Sequence, residues 1–563
     1  MRKSGIKINR YRWRLAVSIF VGVAMTLQAK WLTIHNDFFQ YDLDGNLIQT
    51  RSGCMSKFGD TFYWYGWKNT DQNCYASKDL LHWTKRGVIY TGSSWTNRMD
   101  VVYNESTKQY VLILKYASGD ACNLGIATCS TPDGKFNFKG DYKVFNYQIG
   151  DMSVYKDDDG KLYLCYLWNS VEGANSGGKS EHGIALFKSD YLSLSENLHV
   201  WHRGEREANM MMKSHGHYYY LTSLTDYVTS SATKYYTAPS PSGPWTDELI
   251  PMITPGNTAD NSWDTQCDFV FSFKGPKDTV LMFCGDRWLK PDPARLGDYA
   301  WLPITFSPKD SVIVNYYQDW EVDPDAGLWR PIEHNRNLAL HKTATASSTS
   351  GSNSPDNVTD STTWQDYIKT KWTSAASDPQ WIMIDLGSEI NINRVILKWD
   401  SAYAKAFKIQ VSKDTSTWTD VFSTTKAGLR SITDETFDVT AARYVRMYGT
   451  QRGNTSKGYS LFEFMVLNDA APTETAFRPG KSTIPSEALL TCKNNTIHYR
   501  VPSSNSIKLE VVDGRGKQIA VLADGFKHAG NHEAVLPGTL GSGKYIIRLT
   551  TGTKTLATMQ VKF

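Results

Sequence analysis

Through residues 57–285 the chain repeats one pattern of polar and apolar positions. A polar turn with Gly, Lys or Asp leads into a short apolar-aromatic run. The copies are KFGDTFYWYG (57–66), NESTKQYVLIL (104–114), DDDGKLYLCY (157–166), KSHGHYYYLTS (213–223) and KGPKDTVLMFCG (274–285). Short runs rich in Tyr, Phe, Val and Leu, bounded by turn residues, predict β-strands. The unit returns about every 50 residues, a spacing found in propeller blades. Between copies lie YASKDLLHW (75–83), ATCSTPDGKF (127–136), LFKSDYLSL (186–194) and YTAPSPSGPW (236–245), suited to an outer strand and its turn. Five copies in order predict a five-bladed β-propeller, with a pair of β-sandwiches as the competing architecture. In a propeller the innermost strands converge on a central channel, so polar residues at their upper ends meet in one pocket.

The pattern changes after a linker at Pro331–Ile332–Glu333–His334. QWIMIDLGSEININRVILKW (380–399), FKIQVSKDTSTWTDV (407–421) and ARYVRMYG (442–449) alternate as sandwich strands do. From about residue 485, IKLEVVDGRGKQIAVLADG (507–525) and KYIIRLTTGTKTLATMQVKF (544–563) predict a further small β unit. The expected plan is all-β: a propeller over 30–334, a sandwich over 335–470, then a linker and a small immunoglobulin-like domain over 471–563.

At the N-terminus a basic stretch, MRKSGIKINRYRWR, precedes the apolar run LAVSIFVGVAM, and TLQA offers Ala29 as a cleavage point. This is the layout of a secretory signal peptide, residues 1–29, with an uncleaved anchor as the alternative. An exported protein without stable membrane insertion follows, whether periplasmic, on the cell surface or secreted. A net charge of +4 over 563 residues gives no ground for a nucleic-acid partner. The eight Cys form no CxxC pair, which argues against zinc. Aromatic residues make up 13% of the chain, which suits either packed β cores or sugar-stacking surfaces.

The chemistry is concentrated at the starts of predicted innermost strands. In REANMM, Glu207 stands beside Met210 and Met211. Apolar surroundings disfavour the charged carboxylate, raise its pKa and so let it give up a proton near neutral pH. Asp151, in GDMSVYK, holds the equivalent place one blade earlier. Asp157, Asp158 and Asp159 read as a solvated turn. The fifth blade supplies Gln266 and Asp268 in DTQCDFVF, and Asp286, Arg287 and Trp288 in CGDRW.

With these motifs in view, residues 35–330 resemble glycoside hydrolase family 43, the five-bladed propeller glycosidases, and within it the subgroup that includes exo-β-1,3-galactanases. The resemblance is carried by DMSVYKDDDGKLYLCY, REANMMMKSHGHYYYLTS, SPSGPW, TQCDFVF and GDRW followed by WLPITF. It implies inverting exo-glycosidase activity that needs no cofactor. Glu207 then resembles the general acid and Asp151 the residue that tunes it. Gln266 falls where the galactanase-like enzymes carry glutamine in place of the usual base. Trp67, Arg206, Asp286, Arg287, Trp288 and Trp301 are the candidate substrate-binding residues. Two stretches depart from the pattern. IQTRSGCM (48–55) replaces a Gly-rich, His-containing segment, and Trp67 replaces an acidic residue. The first-blade base is also unassigned, since Asp42 and Asp44 in QYDLDGN read as a turn.

The segment from NLALHKTATASS to FEFMVLND resembles a discoidin, or coagulation factor 5/8 type C, domain of the carbohydrate-binding module family 32 type. That resemblance implies a structural Ca²⁺, with Asp360 and Glu463 as candidate ligands, and places Trp364, Tyr367 and Tyr403 in loops that stack on sugar. The leading expectation is an exported hydrolase of galactose- or arabinose-containing plant polysaccharide. An α-L-arabinofuranosidase and a catalytically silent glycan-binding protein stand as alternatives.

Overall fold

A computed structural model describes residues 31–36, 40–93, 96–118, 121–169, 181–202, 206–224, 229–257, 259–287, 299–332, 336–360, 370–425, 432–469, 490–493, 496–501, 505–513, 517–527, 530–537, 543–551 and 554–562. The proposed signal peptide, Trp288, Trp364 and Tyr367 lie outside this set. All but one short 3₁₀ turn of the regular structure is β-strand among the described residues.

Five four-stranded antiparallel sheets follow one another along the chain, each with its strands in sequence order. Their first strands are β1 (Arg51–Phe58), β2 (Asn97–Asn104), β3 (Gln148–Lys156), β4 (Arg206–Ser214) and β5 (Gln266–Lys274). These touch in the order β1–β2–β3–β4–β5–β1, closing a ring around a channel. Each quoted turn-strand repeat forms the hairpin into the second strand of its sheet. The core is divided accordingly, with one apolar cluster between every pair of neighbouring sheets. Aromatic residues fill it because wide gaps between twisted sheets need large side chains. Between the fifth and first sheets, Trp64 meets Trp301 edge to face at 4.8 Å.

The ring is closed by a clasp that the repeats do not foretell. Strand Leu32–His35 pairs with Asp319–Asp323, which pairs with Leu328–Pro331, in a separate three-stranded sheet. Its Leu32, Ile34, Trp320, Val322 and Trp329 join the cluster between the fifth and first sheets. The chain before the propeller is thereby tied to the chain after it.

A seven-stranded sheet assembly built on Gln380–Trp399 and Ile432–Arg452 forms the second unit, around its own core. The last strands form two smaller sheets with a third core. The clasp and the second unit meet through buried charges. Lys398 donates to Asp319 at 2.5 Å, and Arg394 donates to Thr33 at 2.5 Å, to Asp434 at 2.6 Å and to Glu321. His35 lies between Asp319 at 2.7 Å and Asp434 at 3.3 Å. All eight cysteines are unpaired, and Cys165 and Cys284 are buried strand residues.

Candidate active site

Every innermost strand breaks register near its start. The shift lies between Arg51 and Cys54 in β1, Asn97 and Met99 in β2, and Ile149 and Met152 in β3. In β4 it lies between Glu207 and Met210, and in β5 between Cys267 and Phe269. A bulge bends its strand and redirects a side chain. Ser52, Arg98 and Ala208 adopt φ of 51°, 45° and 54° at these points, a conformation that costs a non-glycine residue about 1–3 kcal/mol. Five bulges at one level turn five strand beginnings toward the channel mouth.

Arg98 is the hub. Its Nη1 donates to Asp268 Oδ1 at 2.8 Å, and its Nη2 to Gln266 Oε1 at 3.0 Å, with Asp151 Oδ2 also 3.0 Å away. Asp151 Oδ2 in turn accepts the Ala208 N–H at 3.1 Å, tying the third blade to the bulge beside Glu207. Gln266 Nε2 donates to Glu207 Oε1 at 2.5 Å. Opposite, Asp268 Oδ2 accepts the Gly53 N–H at 3.1 Å and Asp286 Oδ2 the Ser52 N–H at 2.8 Å. The divergent stretch IQTRSGCM therefore supplies backbone donors to the fifth blade's carboxylates.

These contacts separate the titrations of the carboxyls. Glu207 is pushed up to about 7, by burial first and by the charge of Asp151 second. Burial would raise Asp151 too, but the cations Arg98 and Lys115 outweigh it and hold the group below the usual carboxylate range. Asp268 is driven well above its ordinary value by burial and by neighbouring Asp286. Arg98 is raised despite burial, because Asp151 and Asp268 surround it. A protonated carboxyl beside an ionised one is the arrangement that general acid catalysis requires.

The structure thus brings Glu207, Asp151 and Gln266 together. The other candidates stand in different surroundings. Arg206 is buried and spends its guanidinium on Thr222 Oγ1 at 2.9 Å and on the Thr222 and Ala232 carbonyls, so it braces the fourth blade. Trp301 is buried against Trp64 and Trp83 in the core. Asp286 and Arg287 are buried; the first holds the Ser52 N–H and the second donates weakly to the Tyr299 carbonyl at 3.5 Å. Trp67 is half-buried opposite Arg51 on the strand beside β1. Asp157 is not the solvated turn residue expected: it is buried, accepting from Tyr218 at 2.5 Å and from Lys213 at 2.8 Å across the blade boundary. Asp42 does form its turn, accepting the Asn46 N–H at 2.8 Å.

The residues missed in sequence are Arg98, Lys115 and the Ser52–Gly53 backbone, while Asp268 was named without a role. One signal was available, since Arg98, Asp151, Glu207 and Asp268 each stand six residues before their quoted repeat begins, and Ser52 five. Below this layer the channel widens into a cavity of about 480 Å³ lined by all five innermost strands. Asp100 lies there, pushed up to about 8 by burial and accepting the Val154 N–H at 2.8 Å. In the second unit Glu463 is buried on strand Ser460–Leu467 and Asp360 is half-buried; no three His, Cys, Asp or Glu converge as a metal site among the described residues.

Residues 51–287 match the family described as glycosyl hydrolases family 43, and residues 343–464 match the F5/8 type C domain. Among solved structures the chain is similar to an exo-β-1,3-galactanase from Phanerochaete chrysosporium, at 20% identity over 77% of this chain and 100% of that one, with a TM-score of 0.47. It is similar to an exo-β-1,3-galactanase from Clostridium thermocellum, at 21% identity over 77% and 100%, with a TM-score of 0.46. A chitosan-binding module from a Paenibacillus chitosanase/glucanase is 46% identical over 24% of this chain and 98% of that one, with a TM-score of 0.22. None of the curated proteins compared matches.

Proposed function

We propose that this glycoside hydrolase, which belongs through residues 51–287 to glycosyl hydrolases family 43 and carries an F5/8 type C domain at residues 343–464, is an exported exo-acting enzyme that removes terminal galactose from β-1,3-linked galactan with inversion. The observation that carries the mechanism is the pairing of Glu207, pushed up to about 7, with an ionised Asp151 beside it. Glu207 protonates the glycosidic oxygen as the bond breaks, and Asp151 keeps that proton in place until then. Inversion uses two groups roughly 6.5–9.5 Å apart with a water between. Without sugar, Gln266 and Glu207 are in direct contact instead. A terminal sugar seated between them breaks that hydrogen bond and leaves room beside Gln266, still anchored through Oε1 to Arg98, for the attacking water, whose oxygen bonds the anomeric carbon as the glycosidic bond breaks and whose proton passes to bulk solvent.

The choice of β-1,3-galactan rests on the subgroup motifs, and export rests on the N-terminal sequence. Among the described residues, no helix is long and apolar enough to cross a membrane. The F5/8 type C unit, in this reading, adds affinity for the polymer and holds a Ca²⁺ through Asp360 and Glu463, hard oxygen donors of the kind that ion takes. The test is incubation with β-1,3-galactan, arabinogalactan and a panel of aryl glycosides, followed by chromatography. Galactose released as monosaccharide supports the reading. Release of arabinose alone replaces it with an arabinofuranosidase, and no release leaves a glycan-binding protein.

A further inference from the structure

Two cations stand beside the acid, and they are not equivalent. Arg98 is fully engaged, as described above. Lys115 is not. It lies on strand Gln109–Ser118 of the second blade, opposite Leu124, with its side chain 13% exposed. Its Nζ is 3.8 Å from Asp151 Oδ1, too far for a hydrogen bond. An ammonium carries three donors and accepts nothing. Among the described residues none of the three finds an acceptor. The carboxylate oxygen it faces is in the matching condition. Asp151 Oδ2 takes the Ala208 N–H and faces Arg98, whereas Oδ1 accepts no hydrogen bond among the described residues. A donor without an acceptor and an acceptor without a donor thus stand 3.8 Å apart in the wall of the site. A water molecule can occupy such a gap. So can one other group that donates and accepts at a single atom, a sugar hydroxyl.

We propose that Lys115 and Asp151 Oδ1 together form a hydroxyl-reading pair, Lys115 donating to one hydroxyl oxygen of the terminal sugar while that hydroxyl donates to Asp151. This rests on the hydrolase reading above and adds to it a specificity residue. An oxygen about 2.8 Å from each partner, an ordinary hydrogen-bond length, spans the gap without moving either side chain. The pair excludes a hydrogen or a methyl group at that position, since both polar atoms would then be left unsatisfied.

The test couples protein and ligand changes. Binding of methyl β-galactoside and its four monodeoxy forms (2-, 3-, 4- and 6-deoxy) is measured by calorimetry on the full chain and on Lys115→Met, with Lys115→Gln as a second variant and circular dichroism as the check on folding. The wild-type chain should bind one of the four deoxy sugars about 10–100-fold more weakly than the parent. Lys115→Met should weaken the parent by a similar factor yet bind that one deoxy sugar nearly as the wild type does. A loss that is equal for all five sugars would overturn the assignment. Turnover of β-1,3-galactobiose, followed alongside, separates the two claims. Turnover without coupling overturns the Lys115 assignment alone, coupling without turnover overturns the hydrolase reading alone, and absence of both overturns both.

Discussion

At the scale of single residues, the site is a set of groups that fix one another's protonation. Replacing Glu207 by Gln removes the proton donor. A positioned general acid contributes about 10²–10⁴-fold, so kcat on β-1,3-galactobiose should fall by that factor, and less on an aryl galactoside whose leaving group needs little protonation. The wild-type rate should decline as pH rises through about 7, where Glu207 loses its proton. Asp151→Asn removes the negative charge that helps raise Glu207, so this limb should move to lower pH as well as fall in height; a pH–rate profile measures both. Glu207, Asp151 and Gln266 were legible in the sequence because each sits at the polar start of a recognisable apolar strand. Arg98 was not. TNRMDVV carries no local mark of catalysis, and its role exists only once three blades bring Gln266, Asp151 and Asp268 around it. Arg206, beside Glu207 in sequence, donates to Thr222 rather than joining the Arg98 network.

Strands and their bulges set the next scale. The turn-strand repeats revealed the blades because an apolar-aromatic run behind a polar turn survives in every copy. The bulges were hidden, since one extra residue at a strand's start looks like an ordinary loop boundary. Gly53 shows how tightly they are built. A Cβ there would meet the Tyr65 carbonyl oxygen at 1.9 Å and that of Thr50 at 2.7 Å, both backbone atoms. Gly53→Ala should therefore cost about 1–3 kcal/mol in urea denaturation. It should also lower activity beyond what the lost stability explains, because Asp268 and Asp286 lose the aligned N–H groups of Gly53 and Ser52. The second unit makes a separate prediction. If Asp360 and Glu463 hold Ca²⁺, chelation should lower the melting temperature and added Ca²⁺ restore it, and Glu463→Gln should abolish the difference.

For the whole molecule, the clasp and the charges behind it join propeller and F5/8 type C domain into one unit. The clasp escaped notice in sequence because Leu32–His35 is short and its partner lies nearly three hundred residues away. Burial leaves the joint dependent on every partner. Lys398→Met strips Asp319 of its ammonium and should cost about 3–5 kcal/mol of stability. The pH dependence follows from the directions of the shifts. Burial alone would lower His35, but its bonds to Asp319 and Asp434 raise it, so its contribution is complete below 6.5 and is lost as pH rises through the raised folded value. Asp319 and Asp434 are lowered by Lys398, Arg394 and His35 against burial, so theirs is complete above 3.8 and is lost as pH falls through the depressed folded values. Melting temperature should thus fall on both sides, and His35→Gln should remove the alkaline dependence while sparing the acid one. The same joint bears on catalysis only by holding the ring closed, so its variants should change stability before kcat.

Inversion requires that a sugar and a water fit between Glu207 and Gln266, and the stereochemistry of the product reads that directly. Proton NMR during the first turnovers on a β-1,3-linked galacto-oligosaccharide resolves the anomers of the released galactose before they equilibrate. The α anomer should appear first, as a single displacement by water requires. Initial release of the β anomer would mean a covalent intermediate and a carboxylate nucleophile, and would contradict the roles assigned to Glu207, Asp151 and Gln266 together.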